Sequence, residues 1–268
     1  MLVGVYCVLH NQTCLILINL AHRHWDSFGS PNKLVPSYVA GENLAGFGFD
    51  RRSAAIKIPK TVTSTIVMFI CLAAGRGERM RPLTNYLHKA MIPFDGAPFL
   101  AHSLLSIPEG SEIVIIVNYL NEQIVNYFGS DYKGRKIQYL KQNDPKGTGD
   151  ALFQFGQTYQ PITPVIVWQA DQMIFPGEVA ILSKSKPNAS ICSNTGQDMG
   201  FWKIKPGSLG SMRNCLEHDE YRALPALERE GLNRIKVHRE KLEISFDDWE
   251  KIEKQCKLFR QKFPAGFR

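Results

Sequence analysis

The run Ile66-Val-Met-Phe-Ile-Cys-Leu72 passes directly into Ala73-Ala74-Gly75-Arg76-Gly77. Its length and its β-branched content predict a buried strand. Small residues let the backbone come close to a ligand, and successive N–H groups in such a turn form an anion-binding concavity. Arg79, Arg81 and Lys89 then follow within one short segment. A strand, a glycine turn and clustered cations together suit the holding of a polyphosphate. Two common phosphate motifs do not fit. The dinucleotide fingerprint G-x-G-x-x-G has Met80 at its third glycine, and no Lys-Ser or Lys-Thr follows to make a P-loop.

Downstream, segments of strand length alternate with helical ones. Pro98 opens a helix from about Phe99 to Ser106. Glu112 to Asn118 is a continuous β-branched run, suited to a strand covered on both faces. Asn121 to Phe128 reads as an amphipathic helix closed by Gly129. Ile137–Leu140 reads as a strand, Asp150–Gln157 as a helix and Pro164–Gln169 as a third buried strand. This alternation predicts an α/β fold, a Rossmann-like, mostly parallel sheet with helices on both faces. Ligands bind beyond the carboxyl ends of strands in such sheets. The turn after Leu72, the segment Gln142–Gly149 and Ala170-Asp171 should therefore meet at one site.

The stretch L-A-A-G-R-G-E-R-M-R-P-L-T, with a lysine after it, resembles the signature of the nucleotidyltransferases that make activated sugars and related headgroups. Leu72, Ala73, Ala74, Gly75, Gly77, Arg79, Met80, Pro82, Leu83, Thr84 and Lys89 stand at the matching positions. The resemblance implies the nucleotide-diphospho-sugar transferase type of fold, with Leu72, Ala73, Ala74, Gly75 and Gly77 around the nucleotide. Gln142 ahead of Gly147-Thr148-Gly-Asp-Ala-Leu152 resembles the family's second landmark. By that likeness Gln142 and the Gly147–Thr148 backbone contact the base. Asp171 matches the family's Gly-Asp after the central strand, Ala170 replacing the glycine, and is implied as a Mg²⁺ ligand. Asp247 is the implied second ligand, with Glu243 next in line.

The likeness thins after Asp171. The family's Glu-Lys-Pro sugar-contacting segment has only Lys184-Ser-Lys-Pro187 in its place, and Met199–Lys205 resembles the later strand of the acceptor pocket. Pro206-Gly207 reads as a turn, Glu220–Gly231 as a helix interrupted by Pro225, Asn233–His238 and Leu242–Phe246 as strands, and Asp248–Phe259 as a terminal helix.

The implied reaction is transfer of a nucleoside monophosphate from a nucleoside triphosphate to a sugar 1-phosphate or small phosphorylated headgroup, with Mg²⁺ and release of pyrophosphate. Arg79 is assigned to the β/γ-phosphates and Lys89 to the α- or acceptor phosphate, as the catalytic pair. The alternative is a degenerate nucleotide-binding module for sensing or assembly. A molybdopterin-type transferase shares the glycine turn but places its lysine earlier.

The formal net charge of +7 suits anionic partners, yet the cations are scattered, which argues against nucleic acid. The cysteines Cys7, Cys14, Cys71, Cys192, Cys215 and Cys256 form no C-x-x-C pair, pointing to a reducing, cytoplasmic setting. Residues 1–65 read as an appendage of open role and structure, ahead of a transferase domain at 66–268. Leu15–Ala21 is too short to span a bilayer and no membrane partner is expected. Met68 sits where the family's chains begin, so the upstream residues are expected to be an added segment or a misread start. Oligomeric state is left open.

Overall fold

The computed structural model describes residues 3–10, 13–20, 67–213 and 221–238 of the chain. Contacts divide the chain into two units, Met1–Ala55 and Ile56–Arg268. In the first, β1 (Val3–His10) and β2 (Thr13–Leu20) pair antiparallel, with Val3 opposite Leu20 and His10 opposite Thr13.

Among the described residues of the second unit, β3 (Phe69–Ala73) comes first, followed by the small hairpin β4 (Pro93–Phe94) and β5 (Ala97–Pro98). Then come α1 (Phe99–Ser106), β6 (Glu112–Val117), α2 (Asn121–Phe128), β7 (Asp131–Tyr132), β8 (Arg135–Lys141), α3 (Thr148–Tyr159) and β9 (Val165–Gln169). After β9 the chain forms α4 (Pro176–Lys184), β10 (Ala189–Cys192), β11 (Asp198–Ile204), α5 (Pro206–Ser211), α6 (Ala223–Arg229) and β12 (Asn233–Lys236).

Apart from the β4–β5 hairpin, one sheet unites these strands in the order β12-β10-β11-β9-β3-β6-β8-β7. β3 runs parallel to β6 and β9, β6 parallel to β8, and β10 parallel to β12. β11 is antiparallel to both its neighbours, and β7 to β8. The chain therefore steps outward from β3 through β6 to β8, then crosses back to lay β9 on the other side of β3. That reversal opens a crevice at the carboxyl ends of β3 and β9, where ligands of open α/β sheets bind.

The unbroken apolar runs are explained by what covers them. Phe69, Cys71 and Ala73 of β3, with Ile113, Ile115 and Val117 of β6, pack with Leu100 and Leu104 of α1, Ile124 and Phe128 of α2 and Leu182 of α4. Ile70, Val114 and Ile116 face the other way, onto Leu152 and Phe155 of α3, Leu209 of α5 and Leu227 of α6. Both faces are thus buried, as the continuous hydrophobic strands require. Pro206 does not turn the chain out of β11 but starts α5, where a proline at the first helical position removes only an N–H that has no intrahelical partner. Likewise Pro225 lies in the first turn of α6 and does not interrupt it. The strand Leu242–Phe246 and the helix Asp248–Phe259 expected from sequence lie outside the described residues.

Candidate active site

The glycine turn leaves β3 at Ala73. Gly77 adopts a left-handed backbone (φ 63°), and a Cβ there would stand 3.0 Å from Thr84 Cγ2 and 3.3 Å from Lys89 Cβ. The hydroxyl of buried Thr84 donates to the Gly77 carbonyl at 2.8 Å, so the turn closes on the downstream loop. Gly75 is different. Its backbone is outside the left-handed region, and a Cβ on it would meet nothing within 4 Å. Gly77 is glycine for the fold, whereas among the described residues nothing demands glycine at position 75. The short 3-10 turn Glu78–Met80 follows, anchored by Met80 at 1% exposure and presenting Arg79.

After a 3-10 turn at Leu83–Asn85, Lys89 begins a third, Lys89–Met91. Its Nζ lies 2.9 Å from Asp171 Oδ2, both side chains being mostly enclosed. Asp171 follows β9, and the loop after it is tied to α1 by the Ser103 hydroxyl, which donates to the Gln172 carbonyl, and the Ser106 hydroxyl, which donates to the Ile174 carbonyl at 2.7 Å. The other carboxylate oxygen, Asp171 Oδ1, is buried without a hydrogen-bond partner. A buried acceptor left unpaired is costly. A hard dication that takes one or two carboxylates with phosphate oxygens and water fits that orphaned atom. Among the described residues no cluster of three His, Cys, Asp or Glu side chains forms a ready-made metal cage. Asp247 and Glu243 lie outside the described residues.

Gln142, 2% exposed, starts the opposite wall. Its Nε2 donates to Asp150 Oδ2 (2.5 Å) and to the Gly147 carbonyl (3.3 Å), which leaves its amide oxygen as the group available to a ligand. The start of α3 is itself covered by a later segment. Gly149 N–H donates to the Tyr221 carbonyl (2.8 Å), and Ala223 N–H donates to Thr148 Oγ1 (2.9 Å). Gly147 has φ 145°, and a Cβ there would sit 2.4 Å from the Tyr221 carbonyl oxygen. The glycine before α3 is thus required by this strap. The Thr148 hydroxyl is engaged by it too.

All of these residues line one open cleft of about 570 Å³: Leu72, Ala73, Ala74, Gly75, Gly77, Arg79, Lys89, Gln142, Gly147, Thr148 and Asp171. Three further side chains were not singled out by sequence. Gln169, the last residue of β9, lines the cleft beside Asp171. Gln123 of α2 accepts from His88 N–H at 2.7 Å and donates to the Tyr86 carbonyl at 2.8 Å, bracing the loop before Lys89. His88 itself is buried, and desolvation lowers its pKa to about 4. Only its place inside the signature stretch could have drawn notice to it.

Residues 68–195 match the family described as nucleotidyl transferase. Over 85 residues the chain is 39% identical to the UTP–glucose-1-phosphate uridylyltransferase AglF of Haloferax volcanii, covering 31% of this chain and 35% of that protein. It is 34% identical over 85 residues to the D-glycero-alpha-D-manno-heptose 1-phosphate guanylyltransferase of Aneurinibacillus thermoaerophilus, covering 31% and 37%. The matched stretch spans only about a third of the length of these two curated relatives. Among solved structures, the UTP-bound UGPase of Acinetobacter baumannii superposes with a TM-score of 0.60 at 11% identity, covering 75% of this chain and 96% of that one. At that identity the likeness establishes the fold. No helix among the described residues is long and apolar enough to cross a membrane.

Proposed function

We propose that this chain, whose residues 68–195 match the nucleotidyl transferase family, moves a nucleoside monophosphate from a nucleoside triphosphate to a sugar 1-phosphate, with release of pyrophosphate. The observation that carries the proposal is the Lys89–Asp171 ion pair, with its orphaned Asp171 Oδ1, set in the cleft that the glycine turn walls. The sugar 1-phosphate is favoured because both relatives' names carry one. Those names differ in the nucleotide, so the base is left to experiment.

In the transfer, an anionic oxygen of the acceptor phosphate attacks the α-phosphorus. A new P–O bond forms, the bond to the oxygen bridging the α- and β-phosphates breaks, and its electron pair leaves with pyrophosphate. The attacking oxygen is already ionised near neutral pH and needs no general base. Catalysis then rests on alignment and charge. Gly75 lets the backbone reach the triphosphate, and Arg79 holds the β/γ-phosphates with a forked geometry that lysine lacks. Lys89 carries its charge to the α- and acceptor phosphates, exchanging its carboxylate partner for phosphate oxygens. Asp171, with Asp247 as its expected companion, would hold Mg²⁺, which supplies Lewis-acid neutralisation of phosphate oxygens when bound. Gln142 offers its amide oxygen to the base.

The test is a pyrophosphate-release screen of the common nucleoside triphosphates against sugar 1-phosphates and small phosphorylated headgroups, with Mg²⁺ present. One pair should turn over, and Lys89→Ala and Asp171→Asn should each lower its rate by on the order of 10²–10³-fold while remaining folded. Nucleotide binding with no release from any pair would replace this proposal with a binding module. Near-normal rates in either variant would remove the role given to that residue.

A further inference from the structure

His88 carries no role in the transfer outlined above, yet it is 2% exposed and bonded on every side. Its ring Nε2 lies 2.9 Å from the Ala73 carbonyl oxygen, and its Nδ1 lies 3.0 Å from the Ala90 N–H. A carbonyl can only accept and a backbone N–H can only donate, so the two contacts assign the tautomer. The ring is neutral, with hydrogen on Nε2 and the lone pair on Nδ1. The His88 backbone N–H in turn donates to Gln123 Oε1 at 2.7 Å.

These bonds join two places that the reaction needs together. Ala73 is the last residue of β3, one step before Ala74-Gly75. Ala90 lies in the 3-10 turn that starts with Lys89, whose Nζ reaches Asp171 at 2.9 Å. The residue before Lys89 is clamped to α2, and the residue after it is capped by the same imidazole that grips β3. We propose that His88 is a positioning residue for phosphate binding: its neutral ring splices the Lys89 turn to the end of β3, fixing where the ammonium meets the phosphates. This rests on the phosphate role given to Lys89. Lys89 is a flexible side chain whose placement must come from its backbone, and a displacement of about 1 Å at a reacting group can cost on the order of 10²-fold.

Binding of inorganic tripolyphosphate, followed by calorimetry on the full chain, tests this without knowledge of either substrate. Lys89→Ala should weaken binding by roughly tenfold or more and His88→Ala by roughly three- to tenfold, with the double variant no weaker than Lys89→Ala alone, because His88 acts through Lys89. His88→Asn places an acceptor near Nδ1, and His88→Gln places a donor near Nε2. Each should recover part of the loss, and both serve if the alanine variant fails to fold. Tight binding by His88→Ala, a His88 loss that adds in full to that of Lys89→Ala, or amide variants no better than alanine would each overturn the inference. The transfer reading fails separately. If the coupling holds but no nucleotide–acceptor pair releases pyrophosphate, His88 still positions Lys89 for phosphate while the reaction assignment falls.

Discussion

A methyl group added at Gly75 and one added at Gly77 should have opposite consequences. At Gly77 the methyl would meet Thr84 Cγ2 at 3.0 Å and Lys89 Cβ at 3.3 Å on a backbone with φ 63°. The left-handed conformation costs an L-residue about 1–2 kcal/mol. Loss of the Thr84–Gly77 hydrogen bond would add about 0.5–1.5 kcal/mol. Gly77→Ala should therefore destabilise by roughly 1.5–3.5 kcal/mol, read as a lowered urea midpoint at unchanged slope. At Gly75 a methyl would meet no atom of the described residues within 4 Å, so stability should hold within about 0.5 kcal/mol. On the proposed role of Gly75, the methyl would instead fill the space through which a triphosphate would approach the backbone. Losing one hydrogen bond to a charged group costs about 1.5–3 kcal/mol. That corresponds to roughly 10- to 100-fold weaker nucleotide binding, measured by calorimetry. A Gly75→Ala protein that binds nucleotide as the parent does would refute the reasoning. So would one that unfolds.

Gly147→Ala would drive a Cβ to within 2.4 Å of the Tyr221 carbonyl oxygen. It should lower the melting temperature by several degrees, through roughly 2–4 kcal/mol of strain and lost strap hydrogen bonds, and an unchanged melt would contradict the strap. His88 gives a pH dependence with a definite sign. Its pKa falls from 6.5 unfolded to about 4 folded, chiefly by desolvation, so the unfolded chain binds the extra proton between those values. His88 therefore leaves stability intact above about pH 6.5 and removes up to about 3 kcal/mol as pH falls towards 4. Burial lowers the His102 pKa too and acts in the same direction. Urea midpoints against pH should fall less steeply for His88→Gln than for the parent, and identical slopes would contradict the buried neutral ring.

The parts legible in the sequence are those whose causes are local. α1 has a proline start at Pro98 and α2 a glycine stop at Gly129, and the bounds of both agree with the reading. β8 is longer than its apolar centre, running from Arg135 to Lys141, because parallel pairing with β6 from Lys136 onward and pairing of Arg135 with β7 recruit charged residues that no hydrophobic pattern marks. α4 has only Val179 and Leu182 as buried apolar side chains, and β10 is four residues long, too little for periodicity to register. α5 hides behind Pro206-Gly207-Ser208, a composition that reads as a turn until Ser208 and Leu209 are seen to be buried. In the cleft, the contiguous signature was visible as a motif. The roles of its neighbours were not, because His88 is defined by Ala73, Ala90 and Gln123, and Gly147 by Tyr221.

The strap over α3 also bears on the order in which the cleft is assembled. The glycine turn is stitched by bonds that span only 7 and 15 residues, Thr84 to Gly77 and His88 to Ala73. The wall opposite waits on a bond between Ala223 and Thr148, 75 residues apart. Short loops close at smaller entropic cost and sooner than long ones. The glycine turn is therefore expected to take shape while the Gln142–Thr148 wall is still open. In the native protein, that wall is the part that should breathe first, exposing the amides of Gly149 and Ala223 to solvent exchange while the glycine turn stays closed.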